Sequence, residues 1–436
     1  MATGWNHTRQ RRVLFISYDY PDIGAAGVIR TYQLAKNLPA LGWEPIILTA
    51  QPSQEESHEG LNGHRSLTTV TVAPPKLLAP FQASHWPPAI TSIRPQRRDL
   101  LRRTVRSIGQ WAIPDGKVSW LPAAVKGSLR IARDHDIDVC FSVSPRPTSH
   151  LVARRVARSL GVPWVADYAL PWSDAHWLSK QPRFIRWLDQ RLEGSVLNSA
   201  QRVTVAYRDI ARTLGARYGA ACEQKILVVP TGFDEELFDQ ELRPSGTRFT
   251  VVYPGNHFCE DGRDGSCFLR AVDEWVALEP DRKDSVRFVF IGKPDDELRR
   301  QREALIHPQV FSLEPLISHQ SCIRAILSAD ACLVNTVGNR IPAKVYECMR
   351  AGKWILALTG QGSDLEALMR QYSRGISVPA ADSVGIRRGL QLVFDRSRSQ
   401  SSGPPPPARS LEVHSCRHSA ALLAGVFEAL LPPVRA

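Results

Sequence analysis

Long apolar runs and metal-type cysteine spacings are both missing from this 436-residue sequence. No run approaches the roughly 18 apolar residues that a membrane-spanning helix needs. The eight cysteines include no CxxC pair and no zinc-type spacing, and several of them sit in apolar runs, as buried thiols do. Residues 1–12 are polar and basic, which does not fit a signal peptide. The sequence therefore predicts a cytoplasmic protein in a reducing compartment, without a metal site.

Acidic residues are the scarcer charged type, since 43 aspartates and glutamates stand against 55 lysines and arginines, a net charge of +12. Such a surplus indicates an anionic partner, such as a membrane face, a nucleic acid or an anionic substrate. Nucleic acid is disfavoured because there is no recognition-helix pattern, no aromatic RNA-binding signature and no zinc finger. Hydrophobic residues at 43% and charged residues at 22% are ordinary for a globular protein, and the length suggests two or three domains.

Apolar strands alternate with helices along most of the chain, which is typical of parallel sheets covered on both faces. The pattern forms two Rossmann-like blocks that meet near residues 232–246. We expect domains at residues 1–232 and 246–400, a Pro-rich linker at 401–410, and a C-terminal helix within 411–436. The fold class is thus α/β, with two Rossmann-like domains facing across a cleft. Ligands are expected in that cleft, at the carboxyl ends of the strands.

The segment at residues 341–358 is the most informative one for function. Lys344 and Glu347 stand three residues apart at the predicted start of a short helix, which runs into Gly352 and then a strand. The two side chains therefore share one helix face, and Pro342 suits the first turn. A cation beside the free N–H groups of a helix start attracts phosphate, and a carboxylate one turn later can accept sugar hydroxyls. This pattern predicts a site for a nucleoside diphosphate.

Four segments together resemble the retaining GT-B glycosyltransferases of the family-4-like group. They are the loop over residues 24–30 after the opening strand, residues 226–238, residues 253–255, and the motif at residues 341–358. The resemblance implies transfer of a sugar from a nucleotide-sugar donor to a hydroxyl of a glycan, a lipid-linked glycan or a small molecule. It also implies retention at the anomeric carbon without a metal or other cofactor, because cations and helix dipoles stabilise the leaving diphosphate.

The resemblance implies roles for particular residues of this sequence. Lys344 would lie against the diphosphate, Glu347 would accept hydrogen bonds from the ribose, and Arg263 would contact phosphate. Asp167 falls at a strand end in the acceptor half. The catalytic candidates are therefore Asp167, Arg263 and Lys344, and the donor-binding candidates are Gly24, Gly27, Arg30, Gly255, Asn339, Lys344 and Glu347.

The sequence departs from the family pattern at two places. Asn339 stands where the family has a glutamate that contacts the donor sugar. The sequence therefore does not indicate which sugar is transferred. Ala169 and Leu170 replace an Arg-Asp pair that relatives often carry. A non-catalytic GT-B scaffold that binds a nucleotide or glycan is therefore one alternative, and a nucleotide-sugar epimerase is another. An NAD-dependent dehydrogenase is disfavoured because residues 24–27 lack the full GxGxxG and no acidic residue closes the second strand.

Several candidates also have a purely structural interpretation. Glu347 could form an ordinary i,i+3 ion pair on the helix surface. Gly24 and Gly27 could form a plain turn, and Asp167 could hydrogen-bond a turn. His319 is expected to cap the helix that follows it.

Six arginines form the densest basic cluster of the sequence. The apolar residues between them recur with helical spacing, which indicates a basic amphipathic helix. One interpretation is a helix lying on an anionic membrane surface, and the other is a helix packed on its own sheet with solvated arginines. The cluster comprises Arg94, Arg97, Arg98, Arg102, Arg103 and Arg106.

Overall fold

A computed structural model describes residues 9–20, 26–50, 67–75, 112–173, 181–238, 248–259, 263–293, 295–399 and 406–432. These residues group into two compact units. The first unit holds the described residues up to Thr231 together with those from Ser419 onward, and the second holds Gly232–His418. The predicted basic helix at residues 94–106 and the candidate Gly24 lie outside the described residues.

The first unit is built on a parallel sheet with the strand order β3-β2-β1-β4-β5-β6-β7. Its strands are β1 Arg11–Ile16, β2 Trp43–Thr49, β3 Thr68–Thr71, β4 Val139–Val143, β5 Trp164–Tyr168, β6 Arg202–Val205 and β7 Ile226–Val228. Its helices are α1 Ala26–Asn37, α2 Leu121–Asp134, α3 Pro147–Leu160, α4 Arg183–Ser199, α5 Arg208–Tyr218 and α6 Ala220–Glu223. Every residue of β4 and β5 is buried, as expected for strands covered on both faces.

The second unit repeats this plan with a parallel sheet ordered β10-β9-β8-β11-β12-β13. Its strands are β8 Phe249–Pro254, β9 Val286–Ile291, β10 Phe311–Glu314, β11 Ala331–Asn335, β12 Trp354–Leu358 and β13 Gly375–Val378. Its helices are α7 Ser266–Ala277, α8 Arg282–Ser285, α9 Asp296–Glu303, α10 His319–Ser328, α11 Ala343–Arg350, α12 Asp364–Gln371 and α13 Ser383–Arg398. The last helix, α14 Cys416–Glu428, begins in this unit and belongs to the first unit from Ser419 onward. The prediction of an α/β protein with two Rossmann-like sheets is confirmed.

The last helix returns to the core of the first unit. Phe427 of α14 lies 5.0 Å from the ring of Trp43 and 5.7 Å from that of Phe141, in edge-to-face contacts. Aromatic pairs of this geometry stabilise by about 0.5–1.5 kcal/mol beyond their buried area. The C-terminal residues therefore help to close the hydrophobic core beside β1, β2 and β4.

Two helices are shorter than the apolar pattern of the sequence suggests. That pattern continues to Leu41, but α1 ends at Asn37 and a separate 3-10 turn covers Pro39–Leu41, because proline cannot continue the hydrogen-bond ladder. The C-terminal helix expected within residues 411–436 does not begin at the first of these residues. Instead a 3-10 segment, Ala408–His414, precedes α14, and the Ser415 hydroxyl accepts a hydrogen bond from the backbone N–H of His418. A capping serine of this kind marks a new helix start.

None of the helices in the described residues is both long enough and apolar enough to cross a bilayer.

Candidate functional site

The informative motif forms helix α11 between β11 and β12. Pro342 has φ −65° and ψ 142° and is the residue before the helix, not part of its first turn as predicted. Its extended ψ fits the residue that precedes a helix. The helix ends before Gly352, whose φ of 65° lies in the left-handed region that glycine tolerates. The helix start thus lies at the carboxyl edge of the second sheet.

Lys344, Glu347 and His319 form one polar cluster at this edge. The Lys344 Nζ lies 2.9 Å from Glu347 Oε2, and the His319 Nε2 lies 2.7 Å from Glu347 Oε1. Only 2% of the Glu347 side chain is exposed, whereas 26% of the Lys344 side chain is. The carboxylate is therefore a buried anchor, and Lys344 has the most exposed side chain of the three.

His319 does not cap the helix that follows it, which corrects the expectation above. The N-cap of α10 is Ser318, whose hydroxyl accepts a hydrogen bond from the backbone N–H of Ser321. His319 is instead the first residue of α10, and its ring is free to turn toward Glu347 on α11. This contact joins the loop after β10 to the helix that carries the motif.

Charge pairing dominates the electrostatics of the cluster. Burial alone would raise the pKa of Glu347, but the Lys344 ammonium and the hydrogen-bonded His319 ring outweigh it and lower the pKa from 4.5 to about 2. Burial would lower the pKa of Lys344, and the Glu347 carboxylate reverses that effect and raises the pKa above its ordinary value. Both groups are therefore charged at neutral pH.

The depressed pKa of Glu347 predicts an acid-labile contribution to stability. A carboxylate whose pKa falls on folding stabilises the protein above its unfolded pKa, and this contribution is lost as the pH falls from 4.5 toward 2. The full contribution is on the order of 3 kcal/mol. We expect the difference in unfolding free energy between the parent and Glu347→Gln, from urea titrations, to shrink by about 2 kcal/mol between pH 6 and pH 3, and the rest to be lost as the pH falls through the folded pKa.

The control for this experiment is Glu303→Gln, which changes an exposed carboxylate in the same unit. The difference in unfolding free energy between Glu303→Gln and the parent should stay small from pH 6 to pH 3. A Glu347→Gln difference that is constant over the same pH range would contradict the assigned pKa.

A cavity of about 220 Å³ opens beside the ends of β8, β9 and β10. The loops around it are tightly packed, since a Cβ on Gly292 would lie 2.5 Å from the carbonyl oxygen of Gly255. The Asn256 side-chain oxygen accepts a hydrogen bond of 2.8 Å from the backbone N–H of Lys293. His257 holds a φ of 58°, a left-handed conformation that is strained for a residue with a Cβ. The wall also includes Tyr253, Phe258, Phe290, Asp295, Leu313, Glu314 and Pro315.

Arg263 reaches the carboxyl end of β11, next to this cavity. Its Nε donates a hydrogen bond of 3.2 Å to the carbonyl oxygen of Asn335, the last residue of the strand. Burial raises the pKa of Tyr253 to about 12, and the nearby Arg263 charge opposes that rise. Asn339 lies half-buried in the loop between β11 and α11. The structure thus brings Gly255, Arg263, Asn339, Lys344 and Glu347 to one edge of one sheet.

Arg30 and Asp167 bind each other in the first unit. The Arg30 Nε and Nη2 donate hydrogen bonds of 2.9 and 2.8 Å to the two oxygens of Asp167, whose side chain is fully buried. Thr204, opposite Asp167 in the register of β5 and β6, donates a third bond of 2.6 Å. Their ligand roles stay predictions, and a substrate would contact either side chain only after this pair rearranged. Gly27 lies in the first turn of α1.

A second polar cluster, not anticipated from the sequence, lies at the carboxyl edge of the first sheet. The Arg146 Nε donates a hydrogen bond of 2.7 Å to Asp19, which follows β1. The other oxygen of Asp19 is buried and has no hydrogen-bond partner among the described residues. Asp115 accepts bonds from the backbone N–H and hydroxyl of Thr148, at the N-terminus of α3. The Lys117 ammonium lies 5.2 Å from the centre of the Tyr18 ring.

The first unit matches one protein family over most of its length. The family model described as glycosyl transferase 4-like domain matches residues 26–232, a little under half of the chain. This part of the chain is therefore similar to glycosyl transferase 4-like domains. This match covers α1 and the strands from β2 to β7, including the Arg30–Asp167 pair and the Asp19-facing Arg146. No curated protein matches the sequence.

Solved structures show the fold of the whole chain. A sucrose-phosphate synthase from Thermosynechococcus elongatus is 14% identical, with a TM-score of 0.64, covering 97% of this chain and 99% of that one. An E. coli structure described as trehalose-6-phosphate bound with UDP-2-fluoro glucose is 10% identical, with a TM-score of 0.62 and coverage of 97% and 100%. A putative UDP-N-acetylglucosamine 2-epimerase from Listeria monocytogenes is 11% identical, with a TM-score of 0.58 and coverage of 97% and 96%. The predicted GT-B fold, related to family-4-like glycosyltransferases, is confirmed.

Sequence reasoning missed the partners of the predicted residues. It treated His319 as a helix cap, although a histidine directly after the β10 loop is placed at a sheet edge where ligands bind in α/β folds. It did not single out Asp19 or Arg146, although both follow predicted strands at that same kind of edge. Strand-end position was the available signal for all three.

Proposed function

We propose that this GT-B protein transfers a sugar from a nucleotide-sugar donor to a hydroxyl group of a glycan, a lipid-linked glycan or a small molecule. The observation that carries the proposal is the Lys344–Glu347–His319 cluster at the carboxyl edge of the second sheet. Its support is the glycosyl transferase 4-like domain on the same chain. Retention at the anomeric carbon and independence of a metal ion belong to the proposal through the family resemblance.

The donor diphosphate would bind at Lys344. Its ammonium group has three N–H donors, so it can hold Glu347 and still donate to phosphate oxygens. Lys344 has the most exposed side chain of the cluster, and it lies in the first turn of α11, where free backbone N–H groups favour an anion. Arg263, fixed at the end of β11, would add a second positive charge for the leaving diphosphate.

Glu347 would act first as the support of Lys344. Both of its oxygens are already in contact with a cation or a histidine ring, and its side chain is almost wholly buried. Each carboxylate oxygen has a second lone pair, so a ribose hydroxyl could still bind if the donor opened access to it. We assign the nucleoside to the neighbouring cavity, whose wall combines aromatic rings with Lys293 and Glu314.

The acceptor hydroxyl would bind in the first unit, near Asp19 and Arg146. The unpartnered oxygen of Asp19 is suited to receive a hydrogen bond from a sugar hydroxyl. In the reaction, the bond from the anomeric carbon to the phosphate oxygen breaks and a bond from that carbon to the acceptor oxygen forms. The departing phosphate takes the acceptor proton, as the family resemblance implies. Arg30 and Asp167 would keep α1 and the ends of β5 and β6 in place.

A thermal-shift panel tests the donor site. We expect one of UDP, GDP and ADP to stabilise the parent, because a ligand at about 100 times its Kd adds roughly 2.7 kcal/mol of stability. CMP, which has a single phosphate, and NAD, whose diphosphate carries a nucleoside at both ends, should have little effect. Stabilisation by none of the nucleoside diphosphates would overturn the donor site.

Two alternative functions give different products. Asn339 in place of the family glutamate favours a scaffold that binds a nucleotide or glycan without turnover. The structural similarity to an epimerase makes epimerisation of the nucleotide-sugar the second alternative. Incubation with the matching nucleotide-sugar and a mixture of acceptors separates them. A transferase releases nucleoside diphosphate only when an acceptor is present, an epimerase converts the donor without acceptor, and a scaffold does neither.

A further inference from the structure

Helix α4 turns both of its acidic residues inward. Asp189 and Glu193 are each 1% exposed. The Trp172 indole N–H points to Asp189 at 3.4 Å, and the Tyr218 hydroxyl donates a bond of 2.8 Å to Glu193. The inner face of α4 is therefore anchored in the first unit by polar contacts and by apolar residues such as Val196.

The outer face of the same helix carries exposed apolar side chains. Phe184 is 58% exposed, Trp187 is 51% exposed and Leu188 is 38% exposed. Spacings of three and four residues place them together on one face. Among the described residues, Phe184 and Trp187 are the exposed large aromatic side chains.

Exposed arginines lie on α4 beside this apolar group and on the helix packed next to α4. Arg183 and Arg191 are exposed on α4, and the Arg191 guanidinium lies 4.6 Å from the centre of the Trp187 ring. The adjacent helix α3 contributes Arg155 and Arg158, both exposed. Arg154 of α3 donates a hydrogen bond of 2.7 Å to the Ser195 hydroxyl, which fixes α3 beside α4. The exposed charged residues of α4 are thus all arginines.

We propose that the outer face of α4 binds an anionic membrane surface. Phe184, Trp187 and Leu188 enter the boundary between headgroups and acyl chains, and the surrounding arginines contact lipid phosphates. Aromatic side chains prefer this boundary, and arginine stems reach along it while their charges stay among the headgroups. An apolar group of three side chains suits shallow insertion, whereas a stable protein interface buries about 800 Å² on each partner. This surface goes beyond the proposed function and does not depend on sugar transfer.

Vesicle flotation of the full chain tests this surface. The parent should float with vesicles that mix phosphatidylglycerol into phosphatidylcholine, and not with phosphatidylcholine alone. Arg183→Gln/Arg191→Gln should weaken binding roughly fivefold for each arginine removed. Phe184→Ser/Trp187→Ser should lower it more than about tenfold, since it removes most of the inserted apolar surface.

Matched variants in the second unit control for exposure and charge. Leu278→Ser/Ile306→Ser removes apolar side chains that are 70% and 79% exposed, and Arg270→Gln/Arg388→Gln removes two exposed arginines. Both should bind vesicles like the parent. Unchanged melting temperatures in all four variants would confirm that folding is intact, which is expected for exposed positions.

Several results would overturn the proposal. One is a parent that does not float with the anionic vesicles. Another is vesicle binding that is unchanged in both α4 variants. If vesicle binding were then lost in Arg102→Glu/Arg103→Glu/Arg106→Glu, the membrane contact would be assigned to residues 94–106. A third is a Phe184→Ser/Trp187→Ser variant that binds anionic vesicles as well as the parent does, while both proteins also bind soluble polyglutamate. That result would make the surface a general polyanion site.

Discussion

Replacement of Lys344 by methionine should lower kcat/KM for sugar transfer by about 100- to 1,000-fold. The expected effect is large because Lys344 is the cation of the α11 cluster and contacts the leaving diphosphate in the proposed mechanism. Loss of one preorganised group that stabilises developing charge has this magnitude in other enzymes. The measurement is steady-state turnover of the nucleotide-sugar that the thermal-shift panel identifies, together with the stabilisation by its nucleoside diphosphate.

The same substitution also affects folding, so the comparison must separate the two effects. Glu347 keeps only its contact with His319 when Lys344 is lost, and the buried carboxylate becomes less stable. Ligand-induced stabilisation is therefore taken relative to each variant without ligand. Lys344→Arg should retain part of the activity because it keeps the charge, and Lys283→Met, which changes an exposed lysine of the same unit, should behave as the parent. Parent-like turnover by a folded Lys344→Met protein would remove Lys344 from the site.

Asp167→Ala should destabilise the first unit by about 3–5 kcal/mol. The substitution leaves the Arg30 guanidinium, which is 1% exposed, without its carboxylate in the core, and it also removes the acceptor for the Thr204 hydroxyl. Breaking a buried ion pair from one side has this cost because a charge is left without a partner. Since total stabilities are about 5–15 kcal/mol, a marked fall in the urea and thermal midpoints is expected.

Two further variants define what Asp167 does. Arg30→Met/Asp167→Leu removes both charges and should be clearly more stable than Asp167→Ala. Arg370→Ala removes the exposed partner of an i,i+4 pair with Glu366 and should change stability by about 0.5 kcal/mol or less. A stability of Asp167→Ala within about 1 kcal/mol of the parent would contradict the structural role. A folded double variant that turns over donor normally would rule out the predicted catalytic role of Asp167.

The candidate site shows where sequence reasoning succeeds and where it stops. The helix that carries Lys344 and Glu347 could be predicted because proline, glycine and i,i+3 spacing are local signals. The contact of His319 with Glu347 joins residues 28 positions apart, and the Arg30–Asp167 pair joins residues 137 positions apart. No local pattern encodes such pairs, since they depend on which strand ends the sheet order brings together.

By itself, the sequence determined the alternation of strands and helices, the two parallel sheets and the GT-B resemblance, because apolar periodicity and turn residues act over a few neighbouring positions. The tertiary structure decided which charged groups are buried, which cation stays exposed at the α11 cluster, and which face of α4 meets solvent. Those properties depend on packing between distant segments. The helix period alone cannot show that Asp189 and Glu193 point inward while Phe184 and Trp187 point outward; that division is set by the sheet and helices against which α4 packs.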